Sequence, residues 1–122
     1  MIEQLNDFPQ NVLAFICRGR VTEADYDSVL VPAVMKALES QRNVRLYYET
    51  AADFAGFEAG AMWEDFKVGM AHLSRWERIA VVTDIEWIRH TVRLFSFLIP
   101  GTVRLYRLSE ADTARAWIVA AA

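Results

Sequence analysis

The sequence predicts an α/β fold, in which an N-terminal β-hairpin joins a mixed, mostly parallel sheet with four helices, in the order β-β-α-β-α-β-α-β-α. Three observations carry this prediction. Two short apolar runs near the N-terminus are separated by turn residues, which is typical of a hairpin. Strand-like and helix-like segments then alternate, as they do in parallel sheets. Residues 44–50 and 78–83 are apolar at nearly every position, which is typical of central strands buried on both faces.

The opening elements have clear boundaries. Strands are predicted at residues 2–6 and 12–18, with the turn at residues 8–11 between them. Thr22 and Asp25 have the spacing of a capping box, which predicts a helix that continues to about Ser40. Pro32 cannot donate to the carbonyl four residues back, so either the helix kinks there or a short turn precedes a helix that begins near Pro32. The second arrangement is favoured, because proline suits the first turn of a helix.

The later helices are recognised by their apolar periodicity. A second helix follows the loop at residues 53–60, because apolar residues recur there at spacings of three and four and form a stripe along one side. A third helix begins after Thr83 or Asp84 and ends at Pro100. A strand at residues 102–108 and a last helix to about Ala121 complete the order. The stripe of the second helix contains Trp63, Phe66, Met70 and Leu73, and that of the third contains Ile85, Ile88, Val92, Phe95 and Ile99.

Composition narrows the class of protein. The 122 residues suffice for a single domain over residues 1–122, and 54% hydrophobic with 24% charged residues is globular. A net charge of −3 argues against nucleic-acid binding. The single cysteine, Cys17, allows no internal disulfide, which fits a reducing compartment. Because neither a signal peptide nor about 18 consecutive apolar residues are found, we expect a soluble cytoplasmic protein without an integral membrane segment.

Three segments carry a resemblance to a known family: Leu30-Val31-Pro32-Ala33, residues 53–65 and residues 78–84. With the element order, they make the chain similar to the SpoIIAA-like family, small and mostly bacterial proteins related in fold to STAS domains and to CRAL-TRIO lipid-transfer domains. The resemblance spans essentially the whole chain. It implies a fold but little chemistry, because most members resembling this chain have no assigned activity and a fold does not fix a function.

The loop after the third strand departs from the pattern of STAS antagonists. Those proteins carry an Asp-Ser-Ser-Gly-like motif there, and phosphorylation of a serine breaks partner binding. Asp53 and Gly56 fit that frame, but Phe54 and Ala55 occupy the serine positions, and no Ser or Thr occurs from residue 51 to 61. A phosphate switch at this loop is therefore chemically impossible. An aromatic residue there favours apolar contact instead.

The loop and the helices beside it supply the candidate binding residues. Loop aromatics often fold back onto their own domain, but Phe54 and Phe57 lie in a glycine-rich loop and are the leading candidates for a pocket or an interface. The ligand- or partner-binding residues that we predict are Asp53, Phe54, Phe57, Glu58, Trp63 and Trp87.

A catalytic role has weaker support in the sequence. Asp53 and Glu58 share a loop, and His72 follows near the end of the second helix. Helix-terminal histidines are favoured by the helix dipole, and loop carboxylates commonly cap helices or accept amide hydrogen bonds. No nucleophile is paired with a base, so a small enzyme remains only an alternative. We expect no catalytic residue, no metal and no cofactor.

The third helix is apolar beyond its core stripe. Its end, at residues 94–99, is apolar almost all round, and a domain of this size cannot easily cover every side of a peripheral helix. A second copy, an apolar ligand or a membrane surface could cover it, and Arg89 and Arg93 flank the region. Self-association ranks first, because homodimers are the commonest way to hide such a patch. The predicted interface residues are Leu94, Phe97 and Leu98.

These observations predict a non-enzymatic binding module. We expect it to form a homodimer and to engage an apolar small ligand or a protein partner near the loop at residues 53–63. The alternatives are a lipid or fatty-acid carrier of the CRAL-TRIO type and a small enzyme of unknown reaction.

Overall fold

The computed structural model describes residues 1–61, 67 and 71–121. Its main sheet has five strands in the spatial order β1-β2-β4-β6-β7, where β1 pairs antiparallel with β2 and every other pairing is parallel. The predicted hairpin and the mostly parallel sheet are therefore confirmed. The strands are β1 (Ile2–Leu5), β2 (Val12–Cys17), β3 (Arg20–Val21), β4 (Val44–Thr50), β5 (Gly56–Phe57), β6 (Trp76–Val82) and β7 (Thr102–Tyr106).

Helical segments follow the strands at the four predicted places. The second of them begins at residues 59–61, and Lys67 and Ala71 are also helical, but Trp63, Phe66 and Met70 of its predicted stripe lie outside the described residues. The other helices are α1 (Glu23–Asp25), α2 (Val31–Ser40), α3 (Glu86–Phe95) and α4 (Ala111–Val119). Single 3₁₀ turns occur at Leu73–Arg75, Ser96–Leu98 and Leu108–Glu110.

The first helical segment shows how Pro32 is accommodated. Thr22 Oγ1 accepts a hydrogen bond from the Asp25 amide (3.2 Å), and Asp25 Oδ2 accepts one from the Thr22 amide (2.8 Å), so the predicted capping box is present. A π-helical stretch, Tyr26–Leu30, then leads into α2, where Pro32 occupies the first turn. The helix near Pro32 is confirmed, but a wider helical turn, rather than a short non-helical one, precedes it.

Alternation along the strands divides the core between the two faces of the sheet. In β2, Leu13, Phe15 and Cys17 face the side that holds α2 and α3, whereas Val12 and Ala14 face the side that holds α4. All six residues of β2 are buried. This explains why the central strands are apolar along their whole length.

Arginine side chains fasten the last helix to the sheet. Arg45, in β4, is buried, and its Nη1 donates to the carbonyl oxygens of Ile118 (2.9 Å) and Ala120 (2.6 Å). Its Nη2 donates to Glu77 Oε1 at 2.9 Å. Arg78 donates to the carbonyl oxygen of Trp117 at 2.8 Å. The guanidinium groups thus satisfy the unpaired carbonyls at the end of α4 and complement its dipole.

The predicted core stripe of α3 is wrong at one position. Ile88 is buried, and Ile85, Val92 and Ile99 pack against the main core, but Phe95 is an exposed residue. The α-helix ends at Phe95 and tightens into a 3₁₀ turn. Phe95 already departs from α-helical dihedral angles, with φ −103° and ψ −2°, and Ile99, after the 3₁₀ turn, packs against the core in its place.

Candidate functional site

The candidate site lies at the carboxyl edge of the sheet, where the loops after β2, β4 and β6 meet. A small second sheet shapes this edge, because β3 pairs in parallel with β5 and places Val21 beside Phe57. Gly56 has a φ of +135°, a backbone conformation that side-chain-bearing residues rarely adopt. Two-residue strands leave no periodicity in the sequence, so this pairing could not be predicted.

Three of the predicted binding residues come together here and form what we call the aromatic cluster: Phe54, Phe57 and Trp87. The ring centroids of Phe54 and Phe57 are 4.9 Å apart, and those of Phe57 and Trp87 are 6.1 Å apart. Both pairs meet edge to face, the arrangement that aromatic quadrupoles favour. Phe54 and Phe57 also pack against the main core, whereas Trp87 remains 47% exposed. The cluster therefore joins the core to the surface.

The two loop carboxylates, Asp53 and Glu58, have different surroundings in the structure. Glu58 Oε1 accepts a hydrogen bond from the Glu23 amide (3.3 Å) at the start of α1. The carboxylate of Glu23 in turn lies against Gly60, where it leaves no room for a Cβ atom. Asp53 is exposed on the loop. Glu58 thus serves the helix terminus, the role that loop carboxylates commonly take. Trp63, the remaining predicted loop-side residue, lies outside the described residues.

A buried polar group holds α3 against this edge. Thr50 and Thr83 end neighbouring strands, and their hydroxyl oxygens lie 2.6 Å apart. Thr83 Oγ1 also accepts from the Ile85 amide (3.1 Å). Arg89 Nη1 donates to the carbonyl oxygens of Thr83 (3.1 Å) and Tyr106 (2.9 Å). These contacts fix the first turns of α3 and hence the position of Trp87.

The burial of Arg89 corrects the sequence prediction, which placed it at the flank of the apolar surface. Its side chain turns inward between the ends of β6 and β7, and Arg89 is only 8% exposed. Its Nε has no hydrogen-bond partner among the residues that the structure describes. The role of Arg89 depends on its hydrogen bonds to the carbonyl oxygens of Thr83 and Tyr106. No motif in the sequence predicts these hydrogen bonds. Arg93, one turn later, is exposed as predicted.

The outer side of α3 and of the turn after it forms the second part of the site, which we call the α3 apolar surface. Leu94 is 65% exposed and Phe97 is 77% exposed. The full set of exposed apolar residues in this segment is Trp87, Leu94, Phe95, Phe97 and Leu98. Because Trp87 belongs to both groups, the aromatic cluster and the α3 apolar surface are continuous.

Charged groups border this surface. Arg107 Nη1 donates to Glu86 Oε1 at 2.8 Å, and both side chains are well exposed. The hydrogen bond from Arg107 lowers the pKa of Glu86, and the same contact raises the pKa of Arg107. Arg89 and Arg93 act on the Glu86 carboxyl in the same direction. The N-terminal turn of α3 therefore carries a firmly ionised carboxylate, whereas its last turn carries the cation Arg93.

His72 lies far from the loop carboxylates. It precedes β6 and so belongs to the amino edge, whereas Asp53 follows β4 at the carboxyl edge. Seven strand residues separate the two edges by about 20 Å. An open polar cavity of ≈ 360 Å³ also lies at the amino edge, lined by Asn43, Ser74, Trp76, Glu77, Pro100, Gly101 and Thr102.

Within the described part of the chain, no three His, Cys, Asp or Glu side chains are grouped closely enough to hold a metal ion. The helices among these residues are also too short or too polar to cross a bilayer. What the carboxyl edge offers chemically is apolar contact, flanked by charges of both signs.

Comparison with known proteins adds a family and a fold. No curated protein matches the chain. A solved structure of an uncharacterized protein of the DUF3478 family from Shewanella loihica PV-4, described as having a SpoIIAA-like fold, is similar with a TM-score of 0.70. The two are 22% identical, and the match covers 96% of this chain and 93% of that one, which shows the shared fold. The model of the SpoIIAA-like family matches residues 12–119, so the resemblance is confirmed. The chain belongs to the SpoIIAA-like family.

Proposed function

We propose that this protein is a non-enzymatic, cytoplasmic binding module that forms a homodimer through the α3 apolar surface and engages an apolar small ligand or a protein partner at the aromatic cluster. One observation carries the proposal: the chain of contacts Phe54–Phe57–Trp87 leads from the core into an exposed apolar surface. Large contiguous patches of this kind mark interaction sites on proteins.

The area of the surface supports self-association. From the exposed fractions of its side chains, the α3 apolar surface presents on the order of 400 Å² of apolar area. Two copies of it, with a polar rim, reach the roughly 1,000 Å² that a specific interface needs. At about 25 cal/mol per Å², covering it provides enough free energy to offset part of the entropy lost on association. A symmetric dimer covers it on both chains at once.

Sedimentation velocity at micromolar concentration tests the dimer. Phe97→Glu places a carboxylate in the centre of the surface, so we expect it to sediment as a monomer while the wild type sediments as a dimer. Met35→Glu is the matched control, because Met35 is 48% exposed on a different helix, α2. A wild type that is monomeric throughout, with sedimentation identical to that of Phe97→Glu, would contradict the dimer.

A non-enzymatic role is supported by the placement of the candidate catalytic groups. Glu58 is engaged at the start of α1, and His72 lies at the opposite edge of the sheet from Asp53. A general acid and base must reach the same reacting atom, and this separation prevents that. Apolar contact is therefore the better supported use of the site.

A lipid or fatty-acid carrier is the second candidate. The observation that favours it is the packing of Phe54 and Phe57 against the main core beside the exposed Trp87, which offers an acyl chain an apolar surface next to the core. Native mass spectrometry of freshly purified protein tests this candidate, and a carrier should retain co-purified lipid. Repeated spectra of the bare, folded chain, before and after incubation with a C16 fatty acid, would count against it.

A further inference from the structure

We infer, building on the proposed homodimer, that the two copies pack α3 against α3 in antiparallel orientation, around a two-fold axis that passes beside Thr91. The contacts of α3 specify the orientation and the register of the two helices.

The register follows from a stripe on α3 in which a small residue lies between large ones. Trp87, Thr91 and Leu94 are separated by four and three residues, so they lie on one side of α3, and Leu98 follows in the 3₁₀ turn after the helix. All four are exposed. The stripe lies next to the buried Ile88 and the half-buried Val92. It is a second apolar seam, separate from the one that packs on the sheet.

Thr91 is suited to a position where two helices cross. Its hydroxyl donates to the carbonyl oxygen of Trp87 (2.8 Å), so covering it leaves no unpaired donor. Its side chain is also smaller than its neighbours in the stripe, which lets two helix backbones approach. In an antiparallel pair centred beside Thr91, the Trp87 ring of one copy packs against the partner's Leu94. The two-fold axis repeats this contact, so the stripe is self-complementary.

The charges on α3 select the antiparallel orientation. Glu86 lies in the first turn and Arg93 in the last. Glu86 and Arg93 lie on the same flank of the stripe, and parallel helices would place this flank of the two copies on opposite sides of the seam, where no ion pair forms between them. Antiparallel helices set Glu86 near the partner's Arg93, twice per dimer, at the rim of the seam. Opposite charges at a rim fix orientation and register. Opposed helix dipoles favour the same arrangement.

Disulfide trapping tests the position of the axis. Thr91→Cys places two thiols next to each other across the axis, so mild oxidation should give a covalent dimer on a non-reducing gel. Lys36→Cys, on the exposed side of α2, should give none, and the fully buried Cys17 should leave the wild type uncrosslinked. A Thr91→Cys protein that sediments as a dimer but does not crosslink overturns the register and leaves the proposed homodimer standing.

Charge reversal tests the orientation. Glu86→Arg and Arg93→Glu should each weaken dimerisation by at least about tenfold, because each creates two like-charged rim pairs. An equimolar mixture should form heterodimers that are tighter than the homodimer of either variant, since Arg at position 86 then meets Glu at 93 and the native pair forms on the other side. The ion pair of Glu86 with Arg107 in its own chain is lost from Glu86→Arg both alone and in the mixture, so it does not account for a gain on mixing. Two weakened variants whose mixture is equally weak would overturn the antiparallel arrangement. A wild type that is monomeric at every concentration would overturn both the arrangement and the homodimer.

Discussion

Replacing Arg89 with methionine is expected to weaken the packing of α3 against the sheet. The candidate site, which includes residues of α3, should be destabilised as well. The side chain is 8% exposed, and Nη1 bonds two carbonyl oxygens at 3.1 and 2.9 Å. Hydrogen bonds from a charged donor contribute about 1.5–3 kcal/mol each. Against this, methionine removes a buried Nε that has no partner in the described part of the chain, which relieves about 1–3 kcal/mol. Methionine also preserves helix propensity and packing. The net loss of stability should be about 2 kcal/mol.

Thermal and urea unfolding measure this loss directly. For a chain of 122 residues, about 2 kcal/mol corresponds to a fall in Tm of roughly 7 °C. Lys36→Met is the control, since Lys36 is an exposed cation in α2 and should change Tm by less than about 2 °C. An Arg89→Met protein as stable as wild type, or no less stable than Lys36→Met, would refute the assignment of Arg89 as the tie between α3 and the strand ends.

Two further predictions concern the backbone and the pH dependence of stability. Gly101→Ala should destabilise by at least about 2 kcal/mol, because a Cβ there would meet the carbonyl oxygens of Trp76 and Glu77. Gly19→Ala, at φ +55° in open space, should cost only about 1 kcal/mol in urea unfolding, and equal losses would contradict this ranking. The amide of Thr22 holds the pKa of Asp25 below its ordinary value of 3.8. The stabilisation from Asp25 is therefore complete well above that value and lost as the pH falls through the folded-state pKa, so Asp25→Asn should weaken the fold near pH 7 and match the wild type in strong acid. A stability difference that stays constant with pH would contradict it.

The sheet could be predicted from the sequence because its central strands are long, continuous apolar runs. Strands β4 and β6 are continuous apolar runs, and the capping box at Thr22 marks a helix start with two side chains. An apolar run and a capping box can both be recognised from neighbouring residues, even though the burial of the strands is produced by distant elements.

What could not be predicted depends on contacts between distant residues. Arg89 is a cation in an amphipathic helix, and its burial follows from the carbonyl oxygen of Tyr106, seventeen residues away. The pairing of β3 with β5 involves two residues on each strand. Phe95 fits the core periodicity but is exposed at the last residue of α3, and Ile99, after the 3₁₀ turn, packs against the core instead.

The candidate site was predictable in part. Phe54 and Phe57 are unusual as aromatic residues in a glycine-rich loop, and the structure brings them together with Trp87. Sequence could not show that Trp87 would meet them, because that contact depends on how α3 docks on the sheet. It also could not assign Glu58 to the start of α1, since Glu23 lies 35 residues away.

The central claim is that the α3 apolar surface is covered in solution, and hydroxyl-radical footprinting tests it most directly. Trp87, Leu94 and Phe97 are exposed in the single chain, so a monomer should label at all three. We predict that they label weakly in the wild type at micromolar concentration and strongly in Phe97→Glu, where Trp87 and Leu94 remain as reporters. Labelling of Met35, which is equally open in both proteins, should not change. Equal labelling of Trp87 and Leu94 in the two proteins would show that nothing covers the surface and would contradict the account.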